Sequence, residues 1–192
     1  MRQAIQIIQV ETNQLVEAFL VTLSEKHLQD FEQIWRAQLR ASAEADRYWD
    51  WNMKNRIYLS ESNYEGYAVE CEGLTQGMML IETESYRSWY SPRRRLVYVH
   101  SLATAPWNRP TLPNPTYRAV GGTLLEFARY RSEELGYEGL VGAHALSEAE
   151  DFYRRMNLSE CGPDEYRENL VYFEWYRQSE SEFEFEEWDD LE

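Results

Sequence analysis

Hydrophobic and polar positions alternate along this chain in short runs, and the period of alternation changes several times. Ala4–Val10 (AIQIIQV) alternates well enough to predict a first strand. Thr12 or Asn13 stands where a helix cap belongs, predicting a helix to about Leu23, and a second helical pattern covers His27–Ala43. Glu44–Leu59 also reads as helix and carries Tyr48, Trp49 and Trp51. Glu65–Glu72 and Gly77–Glu84 read as two strands joined by Gly73–Gln76, and Ser85–Arg95 is a polar loop ending in three arginines. Leu96–Thr104 (LVYVHSLAT) is the strongest strand pattern, stopped by Pro106. A proline-rich connection, Ala105–Pro115, leads into Thr116–Tyr130, where a glycine turn opens a helix that Gly136 ends as a left-handed C-terminal residue. Gly139–Leu146 reads as a strand. Ser147 is placed to cap a short helix, Glu148–Met156, closed by Asn157. Leu158–Cys161 and Asn169–Tyr176 are the last two strands.

The order is therefore one strand, two or three helices, three strands, helix, strand, helix and two strands. It predicts an α/β layer fold on a mixed, mostly antiparallel sheet of about seven strands, in which the crossover helix implies one parallel pair. A single domain over 1–178 is expected, followed by an acidic tail, 179–192, that reads as disordered or partner-binding: Glu180–Glu192 holds eight acids and no base. The net charge of −15 argues against nucleic acid as a partner. No apolar run approaches the roughly 18 residues of a membrane span, and the first residues lack a signal-peptide pattern. Two cysteines, Cys71 and Cys161, read as free thiols of a cytoplasmic protein, and three scattered histidines give no metal-ligand spacing.

Candidate chemistry begins at the glycine turn, TYRAVGGTLLEFARY. A helix that starts on small residues presents bare N–H groups at the positive end of its dipole, an anion site most often used for phosphate. Its neighbours narrow the phosphate. LATAP (Leu102–Pro106), the turn itself and AEDFYRRMNL (Ala149–Leu158) occur in the order and spacing seen in the GNAT superfamily of acyl-CoA-dependent N-acetyltransferases. Leu96–Glu174 resembles that family: LATAP its L-A-V-x-P strand ending, the turn its [Q/R]-x-x-G-x-[G/A] pyrophosphate loop, and the third segment its A-x-x-x-Y-x-x-x-G-F motif. Two registers fit the loop, one starting at Arg118 and one at Thr116. The spacing from Gly121 to Leu124 and Leu125 favours the second, in which Ala119 takes the place of the first glycine. In either register the backbone at Arg118, Ala119, Val120, Gly121, Gly122 and Thr123 would face the phosphates. Substitution of a loop glycine costs little there if φ stays negative.

The resemblance implies acetyl-CoA as donor, lying between the central strand and a neighbour that splays away. Leu102 and Thr104, with Ala103 between them, would meet the pantetheine arm like an added strand, and an amide there would polarise the thioester carbonyl. Tyr153 matches the tyrosine that many members keep near the coenzyme sulfur, implying a general acid for the thiolate. His100, sharing the parity of Leu102 and Tyr98, is the candidate base, with His144 and Glu82 as rivals. Arg118 is offered to a phosphate, and Arg93–Arg95 to the 3′-phosphate. The acceptor is expected to be a primary amine, with Tyr48, Trp49, Trp51, Trp107, Asn108 and Arg109 as candidate contacts. Acidic charge and aromatic content suit a cationic one. A non-catalytic acyl-CoA-binding module acting through a protein partner is the alternative. Oligomeric state stays open, a homodimer included.

Overall fold

The strand β1 (Arg2–Gln9) turns back at once into β2 (Gln14–Thr22), where the sequence pattern predicts a helix. Both periods fit so short an apolar run. Antiparallel pairing from Arg2↔Val21 to Gln9↔Gln14 decides for the strand, and Asn13 takes φ 52° in the turn instead of capping a helix. This computed structural model describes residues 1–109, 111 and 115–176; the predicted acidic tail lies outside the described residues.

One helical stretch follows, built from α1 (Glu25–Asp30), a π turn (Phe31–Trp35) and α2 (Arg36–Arg40). The predicted helix over Glu44–Leu59 is interrupted. A 3-10 turn (Ala45–Tyr48) and extended backbone at Trp49 precede α3 (Trp51–Tyr58), whose N-cap Asp50 accepts from the Met53 N–H at 2.8 Å. Then come β3 (Tyr64–Cys71) and β4 (Leu74–Glu82), joined by a tighter turn than the sequence suggests: Glu72 and Gly73 both take positive φ, 51° and 77°. The remaining elements are β5 (Val97–Thr104), β6 (Tyr117–Arg118), α4 (Val120–Glu134), β7 (Val141–Ala145), α5 (Glu150–Arg155), β8 (Ser159–Asp164) and β9 (Leu170–Trp175). Gly136 closes α4 with φ 77°, its N–H on Glu133 O and that of Tyr137 on Ser132 O. Ser147 begins a 3-10 turn without a side-chain cap, whereas Asn157 ends α5 at φ 59°.

Among the described residues nine strands form one sheet in the order β6-β1-β2-β3-β4-β5-β7-β9-β8, and only β5 and β7 run parallel. The sheet is thus mixed and mostly antiparallel, with β2 and β6 added to the seven strands the pattern predicts. Its two faces carry three hydrophobic clusters, the smallest of them Leu96, Tyr98, Leu140 and Tyr172. Met79, Ile81, Val97 and Val99 pack under Leu124, Leu125 and Ala128 of α4 and Tyr153 of α5. Met78, Leu80 and Ala103 face Phe31, Trp35 and Leu39 and the buried Trp51 of α3.

Candidate active site

The parallel pair stops early. Val97, Tyr98 and Val99 of β5 pair with Val141, Gly142 and Ala143, but no residue after Val99 pairs with β7. From Ser101 to Thr104 the strand keeps only β4, paired from Ser101↔Leu80 to Thr104↔Gly77. Ala105 N–H donates to Gln76 O at 2.9 Å, so in an antiparallel ladder Ala103 and Ser101 also turn their backbone groups to β4. Those of Leu102 and Thr104 therefore point to the open edge, where β7 has diverged.

A cleft of about 490 Å³ lies along that edge, reaching α4 and α5. Leu102, Ala103, Thr104, Arg118, Ala119, Val120, Gly121 and Gly122 line it, and Thr123 does not. Thr123 N–H already donates to Ala119 O (2.8 Å), the first bond of α4. Ala119 is the N-cap, and no side chain caps the helix. The N–H groups of Ala119, Val120, Gly121 and Gly122 thus have no partner within the helix. Ala119 has φ 71°, a left-handed conformation that glycine adopts without cost. This favours the register in which Ala119 replaces the first glycine. The condition under which substitution costs little, a negative φ, is not met at Ala119, so alanine is strained here. Phe152 and Met156 flank the two glycines at ordinary contact: a Cβ at Gly121 would lie 3.4 Å from Phe152, and one at Gly122 3.4 Å from Met156 Sδ.

A buried cation fixes the end of β5. Arg109 bonds Asp46 through two contacts of 2.7 Å and Glu44 at 3.0 Å, and donates to Thr104 O at 3.2 and 3.1 Å. Burial opposes its charge, but Asp46 and Glu44 outweigh that and raise its pKa. Asn108 joins Gln76 Oε1 to Tyr117 N–H, both at 2.9 Å, and Trp107 stacks edge-on against Trp35. These three side chains are therefore engaged in holding the connection. Trp51 is core, and Tyr48 stands in solvent. None of Arg93–Arg95 lines the cleft, and Arg94 pairs with Glu138. The bases that do line it are Arg109, Arg118 and Arg155, the last unforeseen because its helix position reads as an ordinary solvated one.

On α5, Phe152 faces the cleft and Tyr153 is turned into the core, 6% exposed and stacked on Phe173. Burial raises the Tyr153 phenol well above its usual pKa. The ring still lies within electrostatic range of Tyr98, which sits on the other face of the sheet beside the gap between β5 and β7.

His100 does not share the parity of Leu102. The ladder between β4 and β5 shifts between Leu80 and Ile81, which pair with Ser101 and Val99, leaving His100 as the extra residue of a β-bulge. Leu102 consequently packs on the α4 face, whereas His100 lies with Tyr98 on the other face, its ring 4.2 Å from that of Tyr58. His100 Nδ1 and Lys54 Nζ share Ser101 Oγ at 3.0 and 2.8 Å. Burial, then Lys54 and Arg167, pull the His100 pKa down to about 4. His144 is built differently: Nδ1 lies 2.9 Å from Tyr98 Oη and Nε2 3.0 Å from Asp164 Oδ2. Burial lowers its pKa, and Asp164 partly restores it. Glu82 accepts from Asn63 (2.6 Å), from Ser85 Oγ (2.8 Å) and from the Glu84 and Ser85 N–H groups, which makes it a loop anchor.

No family model matches the sequence, and no curated protein matches it either. Solved structures do resemble the fold. The Bacillus subtilis N-acetyltransferase YlbP, solved in complex with coenzyme A, is 12% identical with a TM-score of 0.52, over 92% of this chain and 97% of that one. AAC(6')-Iy, in complex with the bisubstrate analogue CoA-S-monomethyl-acetylneamine, is 12% identical with a TM-score of 0.56, over 84% and 98%. FeeM, an N-acyl amino acid synthase from uncultured soil microbes, is 12% identical with a TM-score of 0.56, over 83% and 89%. The chain has the fold of the GNAT N-acetyltransferases.

Proposed function

We propose that this protein is an N-acyltransferase that moves an acetyl group from acetyl-CoA to the primary amine of a small acceptor by direct attack. One observation carries the reading: a single cleft joins the open edge of β5 at Leu102–Thr104 to the bare N-terminus of α4. A pyrophosphate suits the N–H groups of Ala119–Gly122, with Arg118 and Arg155 adding charge. A pantetheine arm carries amides that can pair with an open strand edge. The complexes of YlbP and AAC(6')-Iy with coenzyme A and its analogue support the same donor here.

Leu102 N–H, aimed into the gap, polarises the thioester carbonyl as charge builds on its oxygen. Tyr153, kept neutral by burial, is the acid offered to the departing thiolate, and it serves only if its hydroxyl reaches the coenzyme sulfur from the core side of Phe152. For the amine proton, His144 has the better claim than His100. Asp164 holds the His144 Nε2–H, which leaves Nδ1 to accept from the Tyr98 hydroxyl. The amine proton passes to the Tyr98 oxygen as the phenol proton moves to Nδ1, and the imidazolium returns it to solvent beside the half-buried Asp164.

Two measurements test the proposal. Coenzyme A should raise the melting temperature by linkage, and acetyl-CoA with a panel of amines should release free thiol faster than without amine. Stabilisation by coenzyme without amine-dependent thiol release identifies a binding module and ends the transferase reading.

A further inference from the structure

On the sheet face opposite α4, two cations, Lys54 and Arg167, stand beside the gap. Lys54 reaches Ser101 Oγ from α3 and lies 4.4 Å from the Trp49 ring centroid. Arg167, from the turn between β8 and β9, lies 5.8 Å from the ring centroids of Tyr86 and Tyr98 and donates to the Tyr86 hydroxyl. Among the described residues neither cation makes an ion pair.

The carboxylates on this face are already engaged. Glu82 holds Asn63 and Ser85, Asp164 holds His144 and the Tyr166 N–H, and Glu174 holds Ser88, Tyr172 and the Trp89 N–H. Among the described residues no carboxylate comes within ion-pair distance of either cation; Asp164, committed to His144, acts on Arg167 only from further off. Burial presses the Lys54 ammonium towards its neutral form, and Lys54 and Arg167 both act on the one imidazole of His100. A partly desolvated ammonium and a guanidinium braced on two tyrosines make a ready seat for an anion, with the guanidinium fork suited to a carboxylate.

We infer that the acceptor amine carries a carboxylate, seated between Arg167 and Lys54 against the rings of Tyr98 and His100, so that the acceptors are amino acids and not polyamines or amino sugars. The inference rests on the acetyltransferase reading. It reverses the expectation drawn from net charge, because a field screened within about 8 Å at physiological salt decides less than the groups lining the seat.

Matched amines test it: phenylalanine against phenethylamine, tryptophan against tryptamine, and lysine against cadaverine, each assayed by thiol release from acetyl-CoA. The carboxylate-bearing member of at least one pair should lead in kcat/KM by about tenfold or more. Arg167→Gln should erase that lead through KM and leave the melting shift with coenzyme A unchanged; Arg167→Lys should restore part of it. Amines without carboxylate that react as fast or faster in every pair overturn this inference and leave the transferase reading standing. An equal loss on both members in Arg167→Gln also overturns it. Thiol release from no amine at all ends both.

Discussion

The two imidazoles beside the gap differ in their surroundings, and pH separates them. His144 must be neutral to accept a proton, so the rate falls as pH drops through its folded pKa, which burial holds below 6.5. The expected kcat/KM profile therefore rises through an acidic limb below pH 6.5. His144→Gln should abolish that limb with a loss on the order of 10² to 10⁴ at neutral pH, whereas His100→Gln should keep it. A limb that survives in His144→Gln and disappears in His100→Gln refutes the assignment. Sequence could not separate these residues. The bulge that turns His100 away from Leu102 depends on the register with β4, a pairing that the strand's own letters do not contain. The choice between Phe152 and Tyr153 was equally illegible: both fall on an apolar helix face, and only packing against Phe173 and Gly121 tells the core ring from the cleft ring.

At the scale of elements, the N-terminus of α4 is the part most legible in advance, because its chemistry is main-chain and glycine marks it. The strain at its N-cap was not legible. Ala119 holds φ 71° where a β-carbon is disfavoured, so Ala119→Gly should raise stability by about 0.5–1 kcal/mol in denaturant unfolding and preserve coenzyme binding. A destabilised Ala119→Gly protein contradicts the left-handed cap. The missed strands have separate causes. The apolar run of β2 satisfies both periods, and its pairing with β1 and β3 overrides the helical reading. Two-residue β6 has no pattern of its own; it exists because Asn108 and the β1 edge hold Tyr117 and Arg118 in place.

For the whole molecule, the charge of −15 sets an acidic protein against a polyphosphate donor. Repulsion at long range must be overcome by short-range groups, the helix N-terminus with Arg118 and Arg155. Added salt screens the distant field first, so the association rate for coenzyme A should rise between about 10 mM and 150 mM salt, measured by stopped flow. A rate that falls instead would show that the local bases dominate encounter. The bulge at His100 has a consequence at this scale as well. It places two consecutive side chains, His100 and Ser101, on the same face, so the strand could lose His100 and still leave Ser101, Leu102 and Ala103 on their present sides. The sheet thus holds a removable residue at the boundary between two surfaces. The wall beside Lys54 and Arg167 is free to diverge in length and lettering, while the edge that greets the donor keeps its register.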